Sequence, residues 1–165
     1  MIRKGNEWKE HEMTIDQKGA LAKAYFEEGY NCAQSVLLEY CEETGLEKKQ
    51  AARLASTFGG GMGKLREVCG AVSAMFLVLG MTGGYDDPKA KEEKAALYDR
   101  VQKLAEAFKA EHHSIICRDL LIGMETSSGS APEERTQAYY ERRPCGCYVE
   151  SAARILAREI GLPEA

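Results

Sequence analysis

Residues 59–80 read GGGMGKLREVCGAVSAMFLVLG, and no other stretch restricts the fold as tightly. Glycines this dense mark backbone that needs positive φ or a close neighbour. The apolar segment 70–81 has the composition of a buried helix, and it is shorter than the roughly 20 residues a bilayer crossing requires. A tight loop therefore turns into a core helix, and Cys69 stands at the junction. Free backbone N–H groups and the helix dipole favour a thiolate there.

The rest of the chain is read around that junction. At 165 residues it is long enough to bury one core without disulfide staples. We divide it into a flexible N-terminal extension, 1–13, and one helical domain, 14–165. The extension is polar and lacks the apolar stretch of a secretory signal, so a cytoplasmic location is expected. A net charge of -4 with no lysine- or arginine-rich block argues against nucleic-acid binding. Six cysteines are then many. In a reducing compartment that number points to metal, cluster or redox chemistry, although any one cysteine is equally at home in an ordinary core.

Helix signals recur along the whole domain. Thr14 and Gln17 form a capping box, opening a helix with Leu21, Ala24, Tyr25 and Glu28 on one stripe and a stop at Gly29. Asn31 caps a second, carrying Ala33, Val36, Leu37, Tyr40 and Cys41 towards Gly45. A third begins near Glu47, with Ala51, Leu54, Ala55 and Phe58 at i, i+3, i+4, i+7 spacing. After the core helix, Asp87-Pro88 reads as a helix start, with Leu97, Val101, Leu104 and Phe108 inward and His112-His113 as polar caps. Ser114 caps a short helix containing Cys117, residues 126–132 form a flexible loop, and a last helix buries Val149, Ala152, Ala153, Leu156 and Ile160. No alternating strand pattern and no repeat is present. The expectation is all-α: a compact single-domain bundle of about six or seven helices with a glycine-rich loop.

Cys32, Cys69, Cys117 and Cys145 share one trait: each lies within about a turn of an expected helix start, where unpaired N–H groups stabilise negative sulfur. Converging helix ends would gather several thiolates, which then need a cation, a cluster or a disulfide. Four suit Zn²⁺ or an iron–sulfur cluster, and two suit a redox dithiol. Their long spacings leave these alternatives open. GGGMGK is not a phosphate loop, because Phe58 and Leu65 occupy required positions and no strand precedes it.

The residues Asn31-Cys32-Ala33-Gln34-Ser35-Val36, Phe58-Gly59-Gly60-Gly61-Met62-Gly63, Cys69-Gly70-Ala71, Cys117-Arg118-Asp119-Leu120 and Cys145 with Tyr148-Val149 together resemble the C_GCAxxG_C_C family of small helical redox-active proteins. Ala74 stands where the family has glycine. The resemblance implies redox function. A similar module joined to haem cytochromes implies an iron–sulfur carrier, with Cys32, Cys69, Cys117 and Cys145 as cluster ligands, Cys147 as alternate to Cys145, and electron transfer as the role. A metal-free dithiol oxidoreductase and a structural zinc module are the competing readings. Arg66 and Arg118 are expected to offset thiolate charge. An unidentified redox partner and homodimerisation through the glycine-rich surface or long helix complete the expectations, with neither nucleic acid nor membrane involved.

Overall fold

Thr14 opens the first helix as the capping box requires: its hydroxyl accepts from the Gln17 N–H, and the Gln17 side chain accepts from the Thr14 N–H. The computed structural model describes residues 13–164, so all of the expected extension except Met13 lies outside the described residues. Helix α1 (Ile15–Glu27) buries Ile15, Lys18, Gly19, Ala22 and Phe26. The stripe expected from apolar spacing is thus misplaced, with Leu21, Ala24 and Glu28 exposed. The physical reason is Lys18, which turns inward to Glu39 and Glu43 and rotates the buried face. Counting apolar residues cannot see a buried ion pair.

Asn31 starts α2 (Cys32–Glu39), again with a reciprocal box to Gln34. The helix breaks at Tyr40 and resumes as α3 (Cys41–Thr44), ended by the left-handed Gly45. Cys41 begins a new turn, and it is half-buried and packs against the core, as its place on the apolar stripe implies. Helix α4 (Lys48–Ala55) runs through a 3-10 turn, Ser56–Phe58, into the glycine loop. Then come α5 (Gly70–Gly83), α6 (Lys91–His112), α7 (Cys117–Leu120), α8 (Gln137–Arg142) and α9 (Cys145–Glu159). Asp87-Pro88 does not start α6. Its carboxylate accepts from the Lys89 N–H and forms a separate turn before the helix. His113, left-handed at φ 70°, caps the far end.

Nine helices, six of them seven residues or longer, and no strand make up the described residues. The fold is all-α. Helix α2 lies in the middle, against α1, α4, α5 and α9, while α1 and α9 pack along each other. Ala33, Val36, Leu37, Ala71, Val72, Met75, Val149, Ala152 and Leu156 are completely buried there. Ala74 also has no exposure, so the methyl at that position sits in packed core. The Tyr40 hydroxyl donates to the Ala153 carbonyl at 2.6 Å, tying α9 to the end of α2. Among the described residues no helix is long and apolar enough to cross a membrane.

Candidate functional site

The packing brings helix starts together. Cys32, Cys117 and Cys145 are the first residues of α2, α7 and α9, and Cys69 caps α5. Two of these positions are fixed by main chain alone. The segments preceding α5 and α7 meet at an antiparallel bridge between Val68 and Ile116. The Cys69 N–H donates to the Ile115 carbonyl at 2.8 Å, and the Cys117 N–H to the Glu67 carbonyl at 2.6 Å.

The glycine loop closes over these ends in a left-handed run. Gly60, Gly61, Met62, Gly63 and Lys64 have φ of 66°, 68°, 65°, 62° and 65°, and Arg66 follows at 60°. Such a conformation costs about 1–3 kcal/mol for each residue bearing a Cβ, so it persists only where the surroundings hold it. Gly61 shows why glycine is needed: an added Cβ would fall 2.6 Å from the Cys117 Cβ. Gly70 has the same role on the other side. Its Cβ would stand 2.6 Å from the Cys32 sulfur and 2.7 Å from the Phe58 carbonyl oxygen. The Cys32 sulfur therefore rests on the first turn of α5, beside Cys69.

All four cysteines line one cavity of about 60 Å³, together with Asn31, Arg66, Arg135, Tyr139, Arg143 and Tyr148. Within it the thiols differ. Hydrogen bonding from the Cys69 thiol, aided by the backbone N–H groups of Gly60, Ala33 and Gly70, outweighs burial and lowers the Cys32 pKa to about 6. Cys69 moves the other way, because its proton is held by Cys32 and burial disfavours its charge. Burial raises Cys117, partly offset by the Arg66 guanidinium 3.8 Å from its sulfur. Burial, and then the negative charge of Cys32, push Cys145 up to about 12. The chamber thus holds one ready thiolate among three thiols.

Cationic side chains form much of the wall. Arg143 is buried, hydrogen-bonds Glu133 and lies 5.4 Å from the Tyr139 ring centroid. Arg135 stacks over Phe26 at 4.5 Å and Tyr139 at 4.8 Å, and donates to the carbonyls of Phe26 and Tyr30. Glu133 also lies 3.7 Å from Arg66.

Cys145 reaches the chamber, whereas Cys147 is exposed and lines a different recess beside Lys23 and Tyr140. Arg66 stands at the site as expected. Arg118 does not: it is paired in a fork with Glu67 on the exposed side. Sequence reasoning missed Arg135, Glu133, Tyr139 and Arg143. Only Arg143 carried a signal, immediately before Pro144-Cys145.

Residues 30–159 match the family described as "Putative redox-active protein (C_GCAxxG_C_C)". The chain belongs to this family. The match spans the four chamber cysteines, the left-handed loop and the arginine wall. No curated protein and no solved structure matches the chain.

Proposed function

We propose that the chain is a thiol-based redox protein in which Cys32 and Cys69 interconvert between dithiol and disulfide. One observation carries this reading: the Cys32 sulfur sits on the first turn of α5, against Gly70, in the same cavity as the Cys69 thiol with which it shares a hydrogen bond. A thiolate paired with a neighbouring thiol is the arrangement thiol–disulfide exchange uses. Cys32, ionised at neutral pH, is the attacking sulfur. Cys69 keeps its proton until Cys32 has become part of a mixed disulfide, then loses it and attacks the Cys32 sulfur. The products are the intramolecular disulfide and a reduced partner, which takes two electrons and one proton from the pair and its second proton from solvent.

A second reading, an iron–sulfur cluster, is favoured by the convergence of Cys32, Cys69, Cys117 and Cys145 on one cavity. The donor set fits, since four cysteines are the usual ligands and nearby N–H donors and cations suit a negatively charged centre. Those four residues would hold the cluster, which would supply one-electron transfer. Among the described residues, no three Cys, His, Asp or Glu side chains stand close enough to hold a single metal ion. A cluster's ligand sulfurs stand farther apart than those of a single ion, so the four-cysteine chamber and the Cys32–Cys69 pair are told apart by experiment.

Anaerobic purification followed by an absorbance spectrum, iron and sulfide analysis and thiol mapping separates the two. The dithiol reading expects a colourless protein that loses two thiols together on mild oxidation, with Cys32 and Cys69 peptides linked. A brown protein whose absorbance needs all four cysteines, or a disulfide that excludes Cys32, overturns it.

A further inference from the structure

Beside the cysteine chamber lies a larger recess of about 450 Å³. The two spaces share Asn31, Gly60, Arg66, Arg135, Tyr139 and Arg143, so they meet along one wall. A recess of this volume falls in the ordinary range for small-molecule sites, about 300–1,000 Å³. Its lining is unbalanced in charge. Lys64, Arg66, Arg135 and Arg143 supply four cations against the single carboxylate of Glu133, an excess of three. That carboxylate is already divided between Arg143, Arg66 and the Ser127 N–H. The excess occurs in a chain whose net charge is -4, so it is a local arrangement and not an overall bias. Like charges gathered along concave walls concentrate a field that draws in anions, and guanidinium groups match carboxylates in geometry. Residues 126–132 border the recess, where Lys64 donates to the Ser127 hydroxyl and the Ala131 carbonyl.

We propose that this recess binds a small organic disulfide bearing carboxylate groups and presents its sulfur to Cys32, an inference that rests on the dithiol reading above. The Cys32 thiolate attacks one substrate sulfur. The substrate S–S bond breaks as the Cys32–substrate bond forms, and the first substrate thiolate leaves and takes up a proton. Cys69 then gives up its proton and attacks the Cys32 sulfur, releasing the second substrate thiol. The substrate gains two electrons and two protons, and the protein is left as the Cys32–Cys69 disulfide. A dithiol reductant, itself oxidised to a disulfide, restores the reduced form.

The test uses the full chain, reduced anaerobically, with dithiodiglycolate as the charged probe and bis(hydroxyethyl) disulfide as the neutral one. Dithiodiglycolate is expected to oxidise the protein faster by about tenfold or more at low ionic strength, with the advantage shrinking as salt is added. Lys64→Glu should bring the ratio of the two rates close to one, while Lys64→Arg preserves it. Equal rates for the unaltered protein, or a ratio insensitive to Lys64→Glu, would overturn the proposal. Calorimetric titration of dithiodiglycolate into Cys32→Ser reads the recess without the chemistry. Saturable binding weakened by Lys64→Glu supports it, and no binding sinks it. Binding with no oxidation of the unaltered protein would leave the recess an anion site but defeat the dithiol reading, and the delivery step with it.

Discussion

Two regions bury charge in this molecule, and they do so in opposite ways. Around Lys18 the arrangement is closed. Its ammonium lies 2.6 Å from Glu43 and 3.3 Å from Glu39, donates to the Glu39 carbonyl at 3.1 Å and sits 4.6 Å from the Tyr40 ring centroid. The Lys18 side chain is 1% exposed. Around the cysteines the arrangement is open: cations outnumber the carboxylate, one sulfur is ionised, and the wall continues into a recess. A buried charge met on every side by its own chain joins helices. A surplus of one sign facing space is suited to something that arrives from outside. Lys18 is buried, and so are Cys69, Cys117 and Arg143, so burial alone does not separate architecture from chemistry.

The sharpest way to break that distinction is Lys18→Met. Buried Glu39 and half-buried Glu43 lose their cation, and we expect a loss of about 3–5 kcal/mol in urea denaturation. Thiol reactivity in the remaining folded protein should not change. If alkylation of Cys32 slows as well, the two regions are coupled and the contrast fails. Gly70→Ala should have the next largest effect, since the added methyl meets the Cys32 sulfur and the Phe58 carbonyl. A cost of about 1–3 kcal/mol is expected, with slower alkylation of Cys32. Unchanged values in both assays would mean that Cys32 does not rest on α5.

Titration distinguishes the regions by sign. Cys32 is lowered from 9.0 to about 6, so its contribution to stability is fully present above pH 9 and is lost as pH falls towards 6. Its alkylation rate should titrate near pH 6. Glu39 is raised above 4.5 because burial disfavours its charge. Its contribution is fully present below 4.5 and falls as pH rises through the folded value. Urea midpoints measured across pH for Cys32→Ser and Glu39→Gln should therefore remove slopes of opposite sign. The same sign for both would contradict the assignment. Arg118→Gln should have the smallest effect, leaving the Cys32 titration where it is, while Arg66→Gln raises Cys117 further. A shift in Cys32 on replacing Arg118 would place that residue nearer the chamber than its pairing with Glu67 implies.

Local chemistry carried much of this architecture into the sequence. Thr14 and Asn31 had to cap helices, Gly45 had to end one, and the segment after Cys69 could hardly be anything but buried helix. The four cysteines were legible for the same reason, since each stands at a helix start. What spacing could not deliver was rotation and distance. The inward face of α1 follows from Lys18 meeting residues about twenty positions on, and Arg135 and Glu133 come from a polar stretch beside a loop with no periodicity. Arg118, near Cys117 in sequence, points away because Glu67 captures it. Arg66 and Arg118 look alike on paper, and the Glu67 fork on Arg118, next to the Val68–Ile116 bridge, leaves Arg66 to face sulfur.

That bridge has a bearing on grafting. Cys69 and Cys117 are registered by peptide groups donating across the Val68–Ile116 pairing, so main chain sets where each of the two helices begins. Anyone rebuilding the centre in another scaffold would need to copy peptide links and left-handed turns, and a transplanted set of cysteines alone would lose its alignment.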